Sequence, residues 1–196
     1  MNSKIFSQHV RRLLTGWLLG ATMLTGVLPT ALAAGAVAPP HIQDEMPQAR
    51  LAGQGSFRWL GLKIYDAQLW VGAQGIDANA PLAAKLVLDL RYARSLQGAK
   101  IAAASKKEMQ KLDLGTAQQR AIWQTGMKKI FPNVNSGSHL SGVYLPNEGV
   151  RFYLDGKFIG AIMDAEFGQA FFSIWLATNT TAPALRSALL ADAAPR

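Results

Sequence analysis

The residues best suited to hold an anion lie on two predicted strands. Tyr65 and Asp66 sit in LKIYDAQLWV (62–71), and Arg91, Tyr92 and Arg94 sit in and just after AKLVLDLRYA (84–93). A tyrosine hydroxyl or an arginine guanidinium on the covered face of a strand can hold a carboxylate, a phenolate or an enolate. The same residues also serve plain structure: a tyrosine ring fills core while its hydroxyl reaches the edge, and an arginine lays its stem on the sheet with its head in water. Other chemistries find less to work with. There is no Cys, which removes disulfides, thiol nucleophiles and thiolate metal sites together. His9, His41 and His139 are the only imidazoles, so no metal and no cofactor is expected. Neither a phosphate-binding glycine loop ending in Lys-Ser/Thr nor a Gly-x-Ser-x-Gly elbow occurs. Ser138-His139-Leu140-Ser141 puts a hydroxyl near an imidazole, but it reads as the start of a strand with exposed polar groups. Asp164 and Glu166 are two residues apart and diverge on a helix, so Asp164 reads as a cap rather than an acid.

The elements that must position these groups follow from periodicity. Leu51 to Trp59 alternates as a strand, with Leu51, Gly53, Gly55, Phe57 and Trp59 on one face. In the second strand Lys63, Tyr65, Ala67 and Leu69 share one side, and Asp66, Gln68 and Trp70 the other. In the third, Leu86, Leu88, Leu90 and Tyr92 point one way while Lys85, Val87, Asp89 and Arg91 point outward, the alternation of a half-buried strand. The period then becomes helical. Ser95 is the expected cap of LQGAKIAAASKKEMQKL, and Thr116 of AQQRAIWQTGMKKIF, which Pro132 ends. Strands return over 138–163, where Asp155-Gly156 between two apolar runs predicts a tight hairpin. Asp164 then caps AEFGQAFFSIWLA, and Pro183 opens a last helix. Strands cluster with strands, which predicts an α+β architecture: an antiparallel sheet covered by helices on one face. The aromatic set Phe57, Trp59, Trp70, Phe167, Phe171 and Trp175 reads first as core and second as the lining of a pocket.

The N-terminus carries a different message. Lys4, Arg11 and Arg12 precede the apolar stretch Leu13 to Leu28, and Ala31-Leu32-Ala33 is a small-x-small cleavage sequence. This predicts a signal peptide over 1–33 and a periplasmic protein. Residues 34–48, with three Pro and no period, read as a flexible segment before a single domain over 49–191. No later apolar run approaches the length of a spanning helix. The formal charge of +8 over 196 residues includes the leader's basic residues, and a mildly basic exported domain is not expected to bind nucleic acid.

Read in order, several of these segments resemble one family. LAGQGSFRWLGLKIYDAQLW (51–70), Ile130-Phe131-Pro132-Asn133-Val134, the Gly149 hairpin with Asp155-Gly156-Lys157, and FGQAFFSIWL (167–176) followed by Pro-Ala-Leu-Arg are similar to the bacterial chalcone isomerase-like proteins. The resemblance implies an open-faced β-sandwich in which helices cover a large antiparallel sheet and a ligand cleft lies between the layers. It implies one of two activities: plant members isomerise chalcones by phenolate attack on an enone, and others bind fatty acids without catalysis. In both, a Gly-x-Gly-x-Arg hairpin carries the Arg that meets the anion, and in the fatty-acid-binding type a Tyr at the end of the second strand assists. Here Gly53 and Gly55 match the glycines, Phe57 falls at the Arg position with Arg58 one place on, Trp70 falls at the Tyr position, and Ser173 falls near a cleft Ser/Thr.

Three readings follow. The first is an exported, non-catalytic protein that binds a hydrophobic or amphipathic, fatty-acid-like molecule between sheet and helices, with Phe57, Tyr65, Trp70 and Ser173 as its contacts. The second is an intramolecular lyase, or isomerase, with Arg58 or Arg91 as cation and Tyr65 or Tyr92 as proton donor. The third is a structural or interaction protein with a filled cleft. The position of Arg58 discriminates the first two. Replacing the cation with Phe and Trp leaves an apolar slot that holds a hydrophobic ligand better than it stabilises a developing charge.

Overall fold

The computed structural model describes residues 36–195, so the predicted signal peptide lies outside the described residues. Six strands form one antiparallel sheet in sequence order: β1 (Arg50–Trp59), β2 (Leu62–Val71), β3 (Leu86–Tyr92), β4 (His139–Leu145), β5 (Gly149–Leu154) and β6 (Lys157–Ile162). The alternation read from the sequence sends Ala67, Leu69, Leu86, Leu88, Leu90, Tyr92, Leu140 and Phe152 to one face, all buried. That face is covered by α2 (Gly98–Lys111), α3 (Ala117–Ile130), α4 (Ala165–Leu176) and α5 (Pro183–Leu189). Met109, Trp123, Met127, Phe167, Phe171, Phe172 and Leu189 complete this core. Phe171 is its hub, in ring contact with Phe131, Phe152, Phe167, Phe172 and Trp175.

The caps form largely as expected. The Thr116 hydroxyl accepts from the Gln119 N–H while the Gln119 side chain accepts from the Thr116 N–H, a reciprocal capping box at α3. Asp164 accepts from the Phe167 N–H and, through its other oxygen, from the Trp123 indole at 2.8 Å, which ties α3 to the start of α4. Helix α2 differs from expectation: it begins at Gly98, not after Ser95. Leu96 first pairs with Val134 in an isolated bridge, and Asn133 accepts from the Gly98 N–H at 3.1 Å. The backbone N–H and C=O of Leu96 are spent on that bridge, so the helix starts after Gln97, whose carbonyl accepts its first hydrogen bonds.

Strand β1 also departs from simple alternation. Register shifts lie between Leu51 and Gly53 and between Phe57 and Arg58. Leu51 therefore pairs with Trp70, away from the helices, while Gly53, Gly55 and Phe57 pair with Leu69, Ala67 and Tyr65 toward them. The two glycines have a packing role. A Cβ at Gly53 would stand 2.1 Å from the Ala188 carbonyl oxygen, and one at Gly55 would stand 2.8 Å from a Leu185 methyl. Helix α5 lies directly on this stretch of backbone.

The largest correction concerns the segment read as flexible. Pro40–Glu45 form a short helix, α1, that packs on the outer face of the sheet. Ile42 and Met46 bury themselves there against Trp70, Val87, Val143 and Leu145, a second core. Two side chains fasten the helix, His41 and Glu45. His41 Nε2 lies 2.9 Å from Ser141 Oγ, and its ring packs on Tyr153 with centroids 5.4 Å apart. Glu45 accepts hydrogen bonds from Tyr153, from Arg151 at 3.1 Å and from Lys85 at 3.0 Å.

Both fastenings are acid-sensitive. Burial lowers the His41 pKa below the ordinary 6.5 and Asp89 only partly restores it; His139 lowers it further and Asp44 raises it. Burial opposes the Glu45 charge, but hydrogen bonds from Tyr153, Lys85 and Arg151 outweigh it and hold the carboxyl below its ordinary 4.5. Both groups thus resist protonation more in the docked state than when free. Their contribution is complete above about pH 6.5 for His41 and about pH 4.5 for Glu45, and is lost as pH falls through the lowered values. Hydrogen exchange at residues 40–46, corrected for intrinsic rate, is expected to accelerate between about pH 7 and pH 4 while the β3–β4 core stays protected. Equal protection at both ends of that range would refute the account.

Candidate functional site

Under α4, the helix-side face of the sheet carries a continuous aromatic and aliphatic surface. Leu88 and Leu90 of β3, Leu140 and Gly142 of β4, Phe152 of β5, and Phe171 and Trp175 of α4 enclose a cavity of about 10 Å³. That is about the space of one water. At the Trp175 side the lining becomes polar. The Trp175 indole N–H donates to the Tyr65 hydroxyl at 3.0 Å. The Tyr65 ring stacks on Phe57 (centroids 5.2 Å) and meets Tyr92 edge-on (5.9 Å). Strand register explains the cluster: Phe57, Tyr65 and Tyr92 are successive cross-strand neighbours on β1, β2 and β3.

The electrostatics of this cleft disfavour negative charge. Burial pushes the Tyr65 pKa far up; the Trp175 hydrogen bond offsets it in part, and the anion Glu108 raises it further. Burial does the same for Tyr92, with Tyr65 adding to it. Both phenols stay protonated. The Tyr65 oxygen accepts from Trp175 while its proton has no acceptor among the described residues, and the Tyr92 hydroxyl makes no hydrogen bond among them.

Of the residues singled out in the sequence, the structure brings together Phe57, Tyr65, Tyr92, Phe171 and Trp175, and sets Arg58, Arg91, Trp70 and Ser173 apart from the cavity lining. Arg58 lies exposed at the end of the β1–β2 hairpin, where its Nη1 donates to the Gly61 carbonyl at 3.2 Å. The bulge that sets it opposite Lys63 comes too near the turn to bring it under a helix. Arg91 and Trp70 follow strict alternation to the outer face. Arg91 is exposed there, and Trp70 is buried beneath α1, its indole N–H without a partner among the described residues. Neither reaches the cleft. Ser173 is half-buried on α4 and does not line the cavity.

The outer face holds a second feature. A solvent-open trough of about 410 Å³ runs over β1 to β4, with Gln54, Gln68, Arg91 and His139 around Asp66 and Asp89. Asp89 is 2% exposed. It accepts from Ser141 Oγ at 2.6 Å and from His139 Nδ1 at 2.7 Å. Because the single Ser141 proton goes to Asp89, His41 Nε2–H is the donor in the next link. Ser141 is fully buried and committed to this chain, so it is a structural hydroxyl and not a nucleophile. The sequence reading placed Ser141 among exposed groups and Asp89 in solvent. The missing signal was α1, which closes over that end of the face. Asp66 is spent locally: it accepts from Ser56 Oγ at 2.5 Å and pairs with Lys63 at 2.6 Å.

An antiparallel meander with a helical layer on one face, and an apolar cleft between them, defines the chalcone isomerase-type architecture. The sequence matches the chalcone isomerase-like family over residues 32–191, and the chain belongs to that family. An uncharacterized protein of Haemophilus influenzae is 28% identical over 138 residues. That alignment covers 70% of this chain and 66% of the relative, just under two thirds of its length. A fatty-acid binding protein of Arabidopsis thaliana shares the fold, with a TM-score of 0.60 at 12% identity, over 75% of this chain and 89% of that one.

Proposed function

We propose that this protein is exported to the periplasm and binds a hydrophobic or amphipathic small molecule in the cleft between sheet and helices, without catalysing a reaction on it. One observation carries the reading. An apolar cleft lined by Trp175 lies next to two protonated phenols, half-buried Tyr65 and buried Tyr92, whose hydroxyl protons have no acceptor among the described residues. These unused donors are available to a ligand carboxyl or hydroxyl at the edge of the cleft. The likeness in fold to a plant fatty-acid binding protein is consistent with an acyl ligand. The isomerase alternative fares worse on the same residues. Phenolate attack needs a cation or donor set where charge develops, whereas the charged group Tyr65 senses is the anion Glu108, and Arg58 and Arg91 both lie outside the cleft.

An acyl chain is far larger than a 10 Å³ cavity, so admission requires Phe171 and Trp175 to swing with α4. The test is native mass spectrometry with lipid extraction on protein purified from the periplasm, followed by titration with fatty acids. An acyl or isoprenoid species at near-equal stoichiometry is expected. Tyr65→Phe and Tyr92→Phe should each weaken binding about tenfold, the worth of one buried hydrogen bond. Failure of every hydrophobic ligand to bind or to protect α4 from exchange would favour the filled-cleft structural reading. Turnover of a chalcone that is lost in Arg58→Ala would favour the enzyme.

A further inference from the structure

The β1–β2 turn spends free energy that the fold does not need spent. Its two residues, Leu60 and Gly61, have φ of +49° and +79°. The β5–β6 hairpin has the same two-residue loop, with Asp155 and Gly156 at +47° and +80°. Positive φ at both positions belongs to the hairpin turn that favours Asn-Gly or Asp-Gly. The second hairpin has that chemistry. The first puts a leucine where the left-handed region is unfavourable and leaves it 80% exposed.

The residues around Leu60 share its character. Trp59 and Leu62 are cross-strand partners, 61% and 49% exposed. The other large exposed apolar side chains among the described residues are spread over the N-terminal stretch, α3 and β6 with its end. One register step inward, Arg58 and Lys63 face each other across the hairpin, a like-charge pair that is unfavourable by itself. Lys63 has Asp66 at 2.6 Å, while Arg58 makes no ion pair among the described residues. The tip therefore has an indole and two leucines at its apex and a cationic collar behind them.

We propose that this tip is a membrane anchor. Trp59, Leu60 and Leu62 enter the interfacial layer of a bilayer, and Arg58 and Lys63 meet its anionic headgroups. Charge complementarity selects the occupant: an apolar protein groove would bury the three apolar side chains but leave Arg58 uncompensated. Trp and Leu over basic residues is the composition that lies in a lipid interface. The anchor does not rest on the reading of the cleft, although the next cross-strand pair inward is Phe57 and Tyr65.

The test separates anchoring from folding and from ligand binding. Wild-type protein, Leu60→Asn and Trp59→Ser, all with the same N-terminus, are sedimented with vesicles of phosphatidylcholine alone and with vesicles containing phosphatidylglycerol, at low and high salt. Wild type should partition onto the anionic vesicles, and salt should weaken it. Leu60→Asn should reduce that partition about tenfold, because it removes one large side chain from the bilayer. Its Tm should stay the same or rise, because asparagine suits the turn. Fatty-acid titration should be unchanged in both variants, so a failed cleft reading leaves this result intact. Three results would overturn the anchor: no binding of wild type to anionic vesicles, undiminished binding of Leu60→Asn, or concentration-dependent self-association through the tip in place of vesicle binding.

Discussion

Gly53→Ala is expected to destabilise the protein by about 3 kcal/mol, at the upper end for an overpacked site. The added Cβ would stand 2.1 Å from the Ala188 carbonyl oxygen and 2.6 Å from that of Leu189. Both are backbone atoms, so no rotamer change relieves the contact; α5 must move. That helix has seven residues and is held by Leu185 and Leu189 in the core, so a shift that clears Gly53 pulls both from their sites. For a domain of this size the loss corresponds to a Tm lower by about 10 °C. Gly55→Ala should cost less, about 1 kcal/mol, because the nearest atom is a Leu185 methyl that can rotate. Thermal melts of the two variants check the ranking. A Gly53→Ala melt within a degree or two of wild type would mean that α5 does not rest on β1. The result also bears on the motif. The Gly-x-Gly of this hairpin is required for helix packing whether or not a ligand reaches it.

Asp89→Ala is expected to cost about 3 kcal/mol or more, because it orphans partners rather than only deleting contacts. Ser141 would lose the carboxylate that accepts from its fully buried hydroxyl, and His139 would lose its 2.7 Å partner. The damage should spread to α1, since His41 rests on Ser141. Ser141→Ala should be milder, about 1 kcal/mol, because it removes a donor and leaves Asp89 bound to His139. Urea titrations measure both. A loss below about 1 kcal/mol for Asp89→Ala would show that the chain from His41 to His139 bears no load and that the trough is merely solvated surface.

These two residues mark what was and was not legible. The order of strands and helices, the Asp155-Gly156 hairpin, and the caps at Thr116 and Asp164 could all be read from the chain, because each depends on neighbours within a few residues. The helix-side placement of Tyr65 and Tyr92 followed from alternation within their strands. The anionic clamp expected from Arg58 or Arg91 did not form. Arg91 obeyed the alternation and so pointed away from the helices, and Arg58 lay too near the turn to reach under one. The missed residues, His41, Asp89, Ser141 and His139, come from three separate segments. Their meeting depends on the β3–β4 register, which pairs Asp89 with Ser141 and Arg91 with His139. Spacing along the chain does not encode that register.

The sequence by itself determined the elements, the α+β layering and one apolar face on each central strand, since period and turn chemistry are local properties. Only the tertiary structure decided what lies on the other face. Residues 34–48 have too few apolar positions to show a period, and α1 forms because Ile42 and Met46 find Trp70, Val87 and Val143 waiting on the sheet. A six-residue helix has little stability of its own. Its docking surface supplies that stability, and the same docking turns Trp70 from a cleft residue into a second core and Asp89 from a surface carboxylate into a buried one.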